Sequence, residues 1–230
     1  MLERPGFKHI AVIGAGSFGT AISKSLVKTG HKVSIWAREP EIVDSINQDR
    51  RNVSYISDIQ LPEGIKAFSS MQETLEGTDL AVMAVPSHVL RIVAEQLTPY
   101  LQEHQYLVSL TKGIENDSFL TMSQVLGEVT GSKILDEHIG VLSGPSHAEE
   151  IAKDLPTTAV AAANSRRAAK IIQDVFHSPS LRIYVNQDII GVEIGGAVKN
   201  IMAIAAGIIE GANMGDNAKA ALATRGLHEM

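Results

Sequence analysis

The segment Gly14-Ala15-Gly16-Ser17-Phe18-Gly19 follows an apolar run, His9–Ile13, and opens a helical pattern over Phe18–Thr29. A G-x-G-x-x-G turn between a strand and a helix near the N-terminus constrains a chain more than any other feature here. Gly14 permits the tight turn, Gly16 lets backbone approach a pyrophosphate, and Gly19 lets the helix pack closely on the strand. The N-terminus of the following helix presents unpaired N–H groups and a partial positive charge to phosphate. A glycine-rich turn without a ligand is the bland alternative, but strand, helix and position all agree with a dinucleotide loop.

The pattern beyond the loop fits that reading. Strands are expected at His9–Ile13, Val33–Trp36, Leu80–Val85, Tyr106–Leu110, Ile139–Leu142, Thr158–Ala162 and Leu181–Val185. Several are apolar at successive residues, as strands covered on both faces are. Helical patterns intervene at Glu39–Gln48, Val89–Leu101, Phe119–Val129, Ala148–Lys153 and Arg166–His177, and Gly30 stands where a helix C-terminal cap belongs. Alternating β and α segments predict an α/β, Rossmann-type, doubly wound and mostly parallel sheet. Aromatic residues make up only 4% of the chain, so its core is expected to be built from Ile, Val, Leu and Ala.

From Asp188 the pattern becomes a single glycine-punctuated, largely apolar helix with no strand after it. We expect a dinucleotide-binding domain over residues 1–186. Residues 187–230 then form the beginning of an all-helical substrate or catalytic domain, cut short at its C-terminus. The Asp188–Glu210 helix is apolar on more than one face and needs cover. Pairing with a second copy, as a homodimer, is one way to supply it.

Charge and composition narrow the function. A net charge of −6 argues against a nucleic-acid partner, which requires a basic face. With no cysteine there is no disulfide framework, thiolate metal site or thiol nucleophile, and no metal is expected. The N-terminus lacks a signal h-region and cleavage site, and no apolar run spans a membrane free of charges or repeated glycines. A cytoplasmic protein without a membrane partner is therefore expected.

Further signals lie at strand ends, where doubly wound sheets bind ligands. The second strand ends in Trp36-Ala37-Arg38-Glu39, with Ala37 at the position of the usual ribose-binding acid. Two readings stand: Arg38 accommodates a 2′-phosphate, giving an NADP(H) site, or Arg38 is a solvated surface residue and Glu39 takes the ribose. Val85-Pro86-Ser87-His88 could line the crevice, and Lys112 stands just past the next strand. In Ser143-Gly144-Pro145-Ser146-His147-Ala148, Ser146 with Glu149 reads as a capping box, a role compatible with ligand binding. His147 is read as a first-turn residue without chemistry.

Lys199 sits among Ile194, Val198, Ile201, Met202 and Ile204, where a charge without a partner is costly. One turn back are Gly195 and Gly196, which leave room for a small ligand beside the ammonium. A partly desolvated lysine is a usable proton donor or acceptor; a lysine snorkelling at the edge of a helical interface is the alternative.

Five motifs occur in order: the Gly14–Gly19 loop, SLTKGIE at Ser109–Glu115, LSGPSHAEEI at Leu142–Ile151, GGAVKN at Gly195–Asn200 and GDNAKAALATRG at Gly215–Gly226. Together they resemble bacterial NAD(P)-dependent glycerol-3-phosphate dehydrogenase over essentially the whole chain. The resemblance implies reversible reduction of dihydroxyacetone phosphate to sn-glycerol 3-phosphate with NADP(H) or NAD(H), supplying phospholipid synthesis. It puts the proton-transferring lysine on Lys199 and a lysine shared by substrate and cofactor on Lys112. Substrate contacts fall on Gly144 and Ser146, and cofactor contacts on Ser17, Phe18, Arg38 and Ala148. The family's YLPG stretch reads Tyr55-Ile56-Ser57-Asp58 here. The family also has an aspartate assisting the lysine, an Arg-Asn pair and another cofactor segment beyond the position of Met230. The expectation is therefore cofactor binding by these 230 residues without efficient turnover. Two other readings stand beside it. One is a hydroxy-acid dehydrogenase of similar build, in which lysine and asparagine are separated by a helical turn. The other is a cofactor-binding module without catalysis.

Overall fold

The computed structural model describes residues 6–229. Met1–Pro5, within the N-terminal stretch read as lacking a leader, and Met230 lie outside the described residues. Among the described residues, eight strands form one sheet in the order β3-β2-β1-β4-β5-β6-β7-β8. These are β1 His9–Ile13, β2 Lys32–Trp36, β3 Ile65–Phe68, β4 Leu80–Met83, β5 Tyr106–Ser109, β6 Ile139–Ser143, β7 Thr157–Ala163 and β8 Leu181–Asn186. Neighbours pair in parallel except β6 with β7. The first six strands follow the Rossmann order, with the reversal between β1 and β4.

The expected α/β architecture is therefore the observed one, and the strand cores explain it. Every residue of β4 and β5 is buried, as are Ile10–Ile13 of β1. Helices cover both faces: α1 Ser17–Lys28, α2 Pro40–Asp44, α3 Met71–Leu75, α4 Ser87–Leu97, α5 Met122–Thr130, α6 Ala148–Ala152 and α7 Arg166–Phe176. The core is built mainly from Ile, Val, Leu, Ala and Met side chains, with Phe176 the largest of those almost fully buried.

Local chemistry sets several boundaries. Helix α1 ends with the amides of Gly30 and His31 donating to Val27 and Leu26 carbonyls, the glycine termination expected there. The expected Glu39–Gln48 helix is α2 followed by a wider π turn over Ser45–Asp49. The pattern expected to start at Phe119 starts at Met122. Thr121 and Gln124 form a reciprocal capping box there, and Phe119 has a φ of 57°. Elements β3 and α3 are additions to the expected set.

After β8 come α8, Ile189–Gly211, and α9, Gly215–Glu229. Asp188 caps α8, its carboxylate accepting the Gly191 N–H at 2.8 Å. By length and composition alone α8 could cross a bilayer. In the structure it lies along β6 and β7 and against α9. Only Ile189, Glu193 and Gly196 of its 23 residues are buried, while Ile201, Ile204 and Ile208 are each more than 60% exposed.

Candidate active site

At the carboxyl ends of β1 and β4 the chain forms a cleft of about 320 Å³, lined by Gly16, Ser17, Phe18, Ala84–Ser87 and Leu110–Lys112. This is the switch point of the sheet. A larger cleft, about 810 Å³, includes His9, Lys32 and Lys66 at the other side of β1–β3. Volume does not decide between them: only the first has a helix N-terminus opening into it.

The glycine loop is built as its sequence demands. Gly14 has a φ of +115°, and a Cβ there would lie 2.6 Å from the Ala84 carbonyl oxygen. A Cβ on Gly19 would run into the Gly14 carbonyl oxygen, so α1 sits directly on the turn. A Cβ on Gly16 would meet nothing within 4 Å, leaving the cleft side of the loop open. No side chain caps α1, whose N-cap residue is Gly16. Open space in front of an uncapped helix N-terminus fits a pyrophosphate.

The loop has supports that the sequence did not announce. Asn52, 1% exposed, donates from Nδ2 to the Ala15 carbonyl at 2.7 Å and to Thr20 Oγ1 at 2.9 Å. Ser17 Oγ donates to the Tyr55 carbonyl at 3.2 Å. The stretch that departs from YLPG thus buttresses the loop through its backbone. Asparagine three residues before a tyrosine was the available signal; its partners lie more than thirty residues away.

Lys112 joins the separate motifs. Its Nζ donates to the Gly144 carbonyl and to Ser146 Oγ, both at 3.1 Å, and lies 5.5 Å from the Phe18 ring centre. The capping box expected at Ser146 is not formed: His147 is the N-cap residue of α6, without a side-chain cap. Ser146 Oγ instead faces Lys112 and the Gly144 carbonyl. An ammonium donor on an adjacent loop has displaced the local backbone partner. Ala148 is buried at the start of α6.

Lys199 reaches the same place from α8 and is half-buried. Gly195 leaves open space, as expected, but Gly196 does not. A Cβ on Gly196 would strike Ser143 Oγ and come within 3.8 Å of Lys112 Cγ. The second glycine is spent on close helix–sheet approach, which carries Lys199 up to Lys112. Burial, and then the neighbouring Lys199 charge, lower the Lys112 pKa to about 8.

A lysine so depressed makes stability depend on pH. Between about pH 8 and 10.5 the unfolded chain binds more protons at this site than the folded one, so this group's contribution to stability rises with pH. Thermal melts of wild type and Lys112→Met at about pH 7 and about pH 10 should show wild type gaining on the variant at the higher pH. An unchanged difference would contradict the burial of a charged Lys112.

Arg38 is not brought into this group. Its side chain is 82% exposed and donates to Glu39 Oε1 from Nε at 3.0 Å and Nη2 at 2.7 Å. Ala37 beside it is buried. Arg38 and Glu39, the two candidates for the ribose end, thus hold each other at the end of β2.

A second residue that the sequence reading passed over is Glu193. It is 6% exposed, and its carboxylate accepts the Ser123 N–H at 2.8 Å and the Ser123 hydroxyl at 2.5 Å. Ser123 lies in the first turn of α5, where a carboxylate is stabilised by free N–H groups and the helix dipole. An acid on an apolar helix was the signal; its partner is 70 residues away.

Comparison with known proteins agrees with this geometry. The family model for the NAD-dependent glycerol-3-phosphate dehydrogenase N-terminus matches residues 9–169, and that for the C-terminus matches residues 188–230. A glycerol-3-phosphate dehydrogenase [NAD(P)+] of Clostridium tetani is 44% identical over 223 residues, covering 97% of this chain and 63% of that protein. One from Salinibacter ruber is 49% identical over 221 residues, covering 96% of this chain and 64% of the relative. The chain therefore spans a little under two thirds of these relatives. The crystal structure of glycerol-3-phosphate dehydrogenase from Coxiella burnetii superposes with a TM-score of 0.86 at 36% identity, covering 98% of this chain and 68% of that one. By the extent of the family match and the shared fold, the chain belongs to the NAD-dependent glycerol-3-phosphate dehydrogenase family.

Proposed function

We propose that this chain carries the cofactor site and the two lysines of an oxidoreductase that interconverts dihydroxyacetone phosphate and sn-glycerol 3-phosphate. The observation that supports this most is the meeting of Lys112, Ser146, Gly144 and Lys199 beside the glycine-loop cleft. Residues 1–186 form the dinucleotide-binding domain and residues 187–230 the start of the helical catalytic domain. Gly14, Gly16, Ser17, Phe18 and Gly19 hold the cofactor pyrophosphate, with Lys112 and Ala148 along the same cleft. A reduced nicotinamide, when bound, supplies the hydride for the substrate carbonyl. Lys199 gives a proton to the oxygen that becomes the alkoxide, and takes it back in the reverse direction. Lys112, with Gly144 and Ser146, orients the substrate.

The physiological setting we infer is the cytoplasm and glycerophospholipid synthesis, in line with the family. The exposed Ile201–Ile204–Ile208 face supports a homodimer or cover by further helices of the relatives' kind; sedimentation of the chain at rising concentration distinguishes a dimer from a monomer.

Cofactor choice turns on Arg38. Its exposed guanidinium needs only to leave Glu39 to meet a 2′-phosphate. A charge-assisted bond contributes roughly 1.5–3 kcal/mol. Arg38→Ala should therefore weaken NADPH binding about tenfold or more and leave NADH binding nearly unchanged. Equal losses for both would return the ribose to Glu39. The overall reading is tested by cofactor oxidation with dihydroxyacetone phosphate against hydroxy acids, in a polypeptide that continues this sequence to the relatives' length. Preference for a hydroxy acid would reject it.

A further inference from the structure

The buried surface of α8 is too small and too polar to fix the helix by apolar packing. Its three buried residues are Ile189, which joins Val141 and Ala162 in a small cluster, Glu193 and Gly196. Gly196 has no side chain to lock, and one buried isoleucine with the partly buried Val192 beside it is a slender apolar hold on a helix of 23 residues. Glu193 supplies what is missing. A carboxylate taken out of water must be hydrogen-bonded, and this one finds two directional donors on a single residue, Ser123.

Helix α5 is itself well anchored. Met122, Val125 and Leu126 are buried, and Thr121 and Gln124 close its first turn. Ser123 is therefore a fixed point of the α/β domain. The bond pair spans from that domain to α8, three residues before Gly196 and six before Lys199. A helix rises about 1.5 Å per residue, so Lys199 lies about 9 Å along the axis from the clamp.

We propose that Glu193 is the positioning residue of the site: its clamp on Ser123 sets the axial register and rotation of α8, and so places Lys199 beside Lys112. The catalytic consequence rests on the proposed function; the placement itself does not.

The test uses the lysines as reporters. Lys112 is depressed by burial and by Lys199, so any loosening of α8 raises its titration toward the ordinary lysine range. In the 230-residue chain with isotope-labelled lysine side chains, Lys112 is assigned by its loss in Lys112→Met and titrated by NMR. Glu193→Ala should raise the Lys112 midpoint by about one unit or more. Glu193→Gln, which accepts from the Ser123 N–H and donates to its hydroxyl, should retain most of the wild-type value. NADPH affinity should change by less than about twofold in both, because neither Glu193 nor Ser123 lines the glycine-loop cleft.

A Lys112 midpoint unmoved by Glu193→Ala overturns the proposal. So does a Glu193→Gln midpoint that moves as far as that of the alanine variant. If circular dichroism shows that Glu193→Ala does not fold, Ser123→Ala serves instead: it removes one of the two bonds and should raise the midpoint by a smaller amount, and no rise overturns the proposal. Turnover separates this inference from the functional reading. Absent dihydroxyacetone phosphate reduction in a polypeptide of the relatives' length, together with a shifted Lys112, would sink the function and leave the positioning role. Normal turnover with an unmoved Lys112 would do the reverse.

Discussion

Lys199→Met should reduce turnover of dihydroxyacetone phosphate by roughly two or more orders of magnitude while leaving NADPH affinity unchanged. Methionine matches the lysine stem in length and suits neighbours such as Val198 and Met202, so the helix loses a charge and a proton but little packing. Removing the charge should also relieve Lys112, whose pKa the Lys199 ammonium helps to depress. The variant therefore separates chemistry from binding. The kcat value should fall, and KM should move less, because Lys112, Gly144 and Ser146 still orient the substrate. Steady-state kinetics in a polypeptide of the relatives' length provide the check. Near-normal kcat would remove Lys199 from proton transfer and return it to a snorkelling role.

Gly19→Ala should damage the fold and the cofactor site together. The new Cβ would run into the Gly14 carbonyl oxygen and lie 3.2 Å from Ala84 Cβ. Neither neighbour can yield: Gly14 is braced against Ala84, and α1 is pinned by buried Ile22 and Leu26. Overpacking of this kind costs about 1–3 kcal/mol, which in a domain of this size lowers the melting temperature by several degrees, about 2–4 °C per kcal/mol. Separation of α1 from the turn also spoils the phosphate cradle, and NADPH affinity should fall by about two orders of magnitude. Gly16→Ala is the informative contrast, because its Cβ meets nothing within 4 Å. It should melt like wild type and still bind NADPH poorly, because the methyl occupies the space in front of the helix. Thermal melts and NADPH titrations of the two variants test the pair. A Gly16→Ala protein with wild-type affinity would show that the phosphates do not approach this loop.

How far the sequence alone discloses this molecule depends on the range of the interactions involved. Strands β1, β4 and β5 were legible because burial on both faces leaves continuous apolar runs. Strand β3 was not: Ile65-Lys66-Ala67-Phe68 is short, mixed and at the sheet edge, so no such run exists. Helix α3 is equally brief and was not expected; in the structure the Ser70 side chain accepts the Glu73 N–H at its start. The Ser146 capping box was a sound local inference that lost to a tertiary partner, the Lys112 ammonium. Lys112, Gly144, Ser146 and Lys199 could each be picked out, because each sits in a marked local setting. Their meeting could not be derived from spacing, because it depends on how β5, β6 and α8 are stacked. Glu193 and Asn52 escaped for the same reason. Each works through partners 32 to 70 residues distant, so the local signals, an asparagine near a tyrosine and an acid on an apolar helix, could not name a partner.

In the proposed complex the cleft in front of Gly16 receives a nicotinamide dinucleotide, and its reactive end lies beside the two lysines. Titration of the 230-residue chain with NADPH, followed by the lysine side-chain NMR signals, tests both halves at once. Binding should be saturable and one-to-one, shift the Lys112 signal and raise its midpoint from about 8, because phosphate charge favours the ammonium. Saturable binding that leaves Lys112 undisturbed, or no saturable binding at all, would contradict this placement.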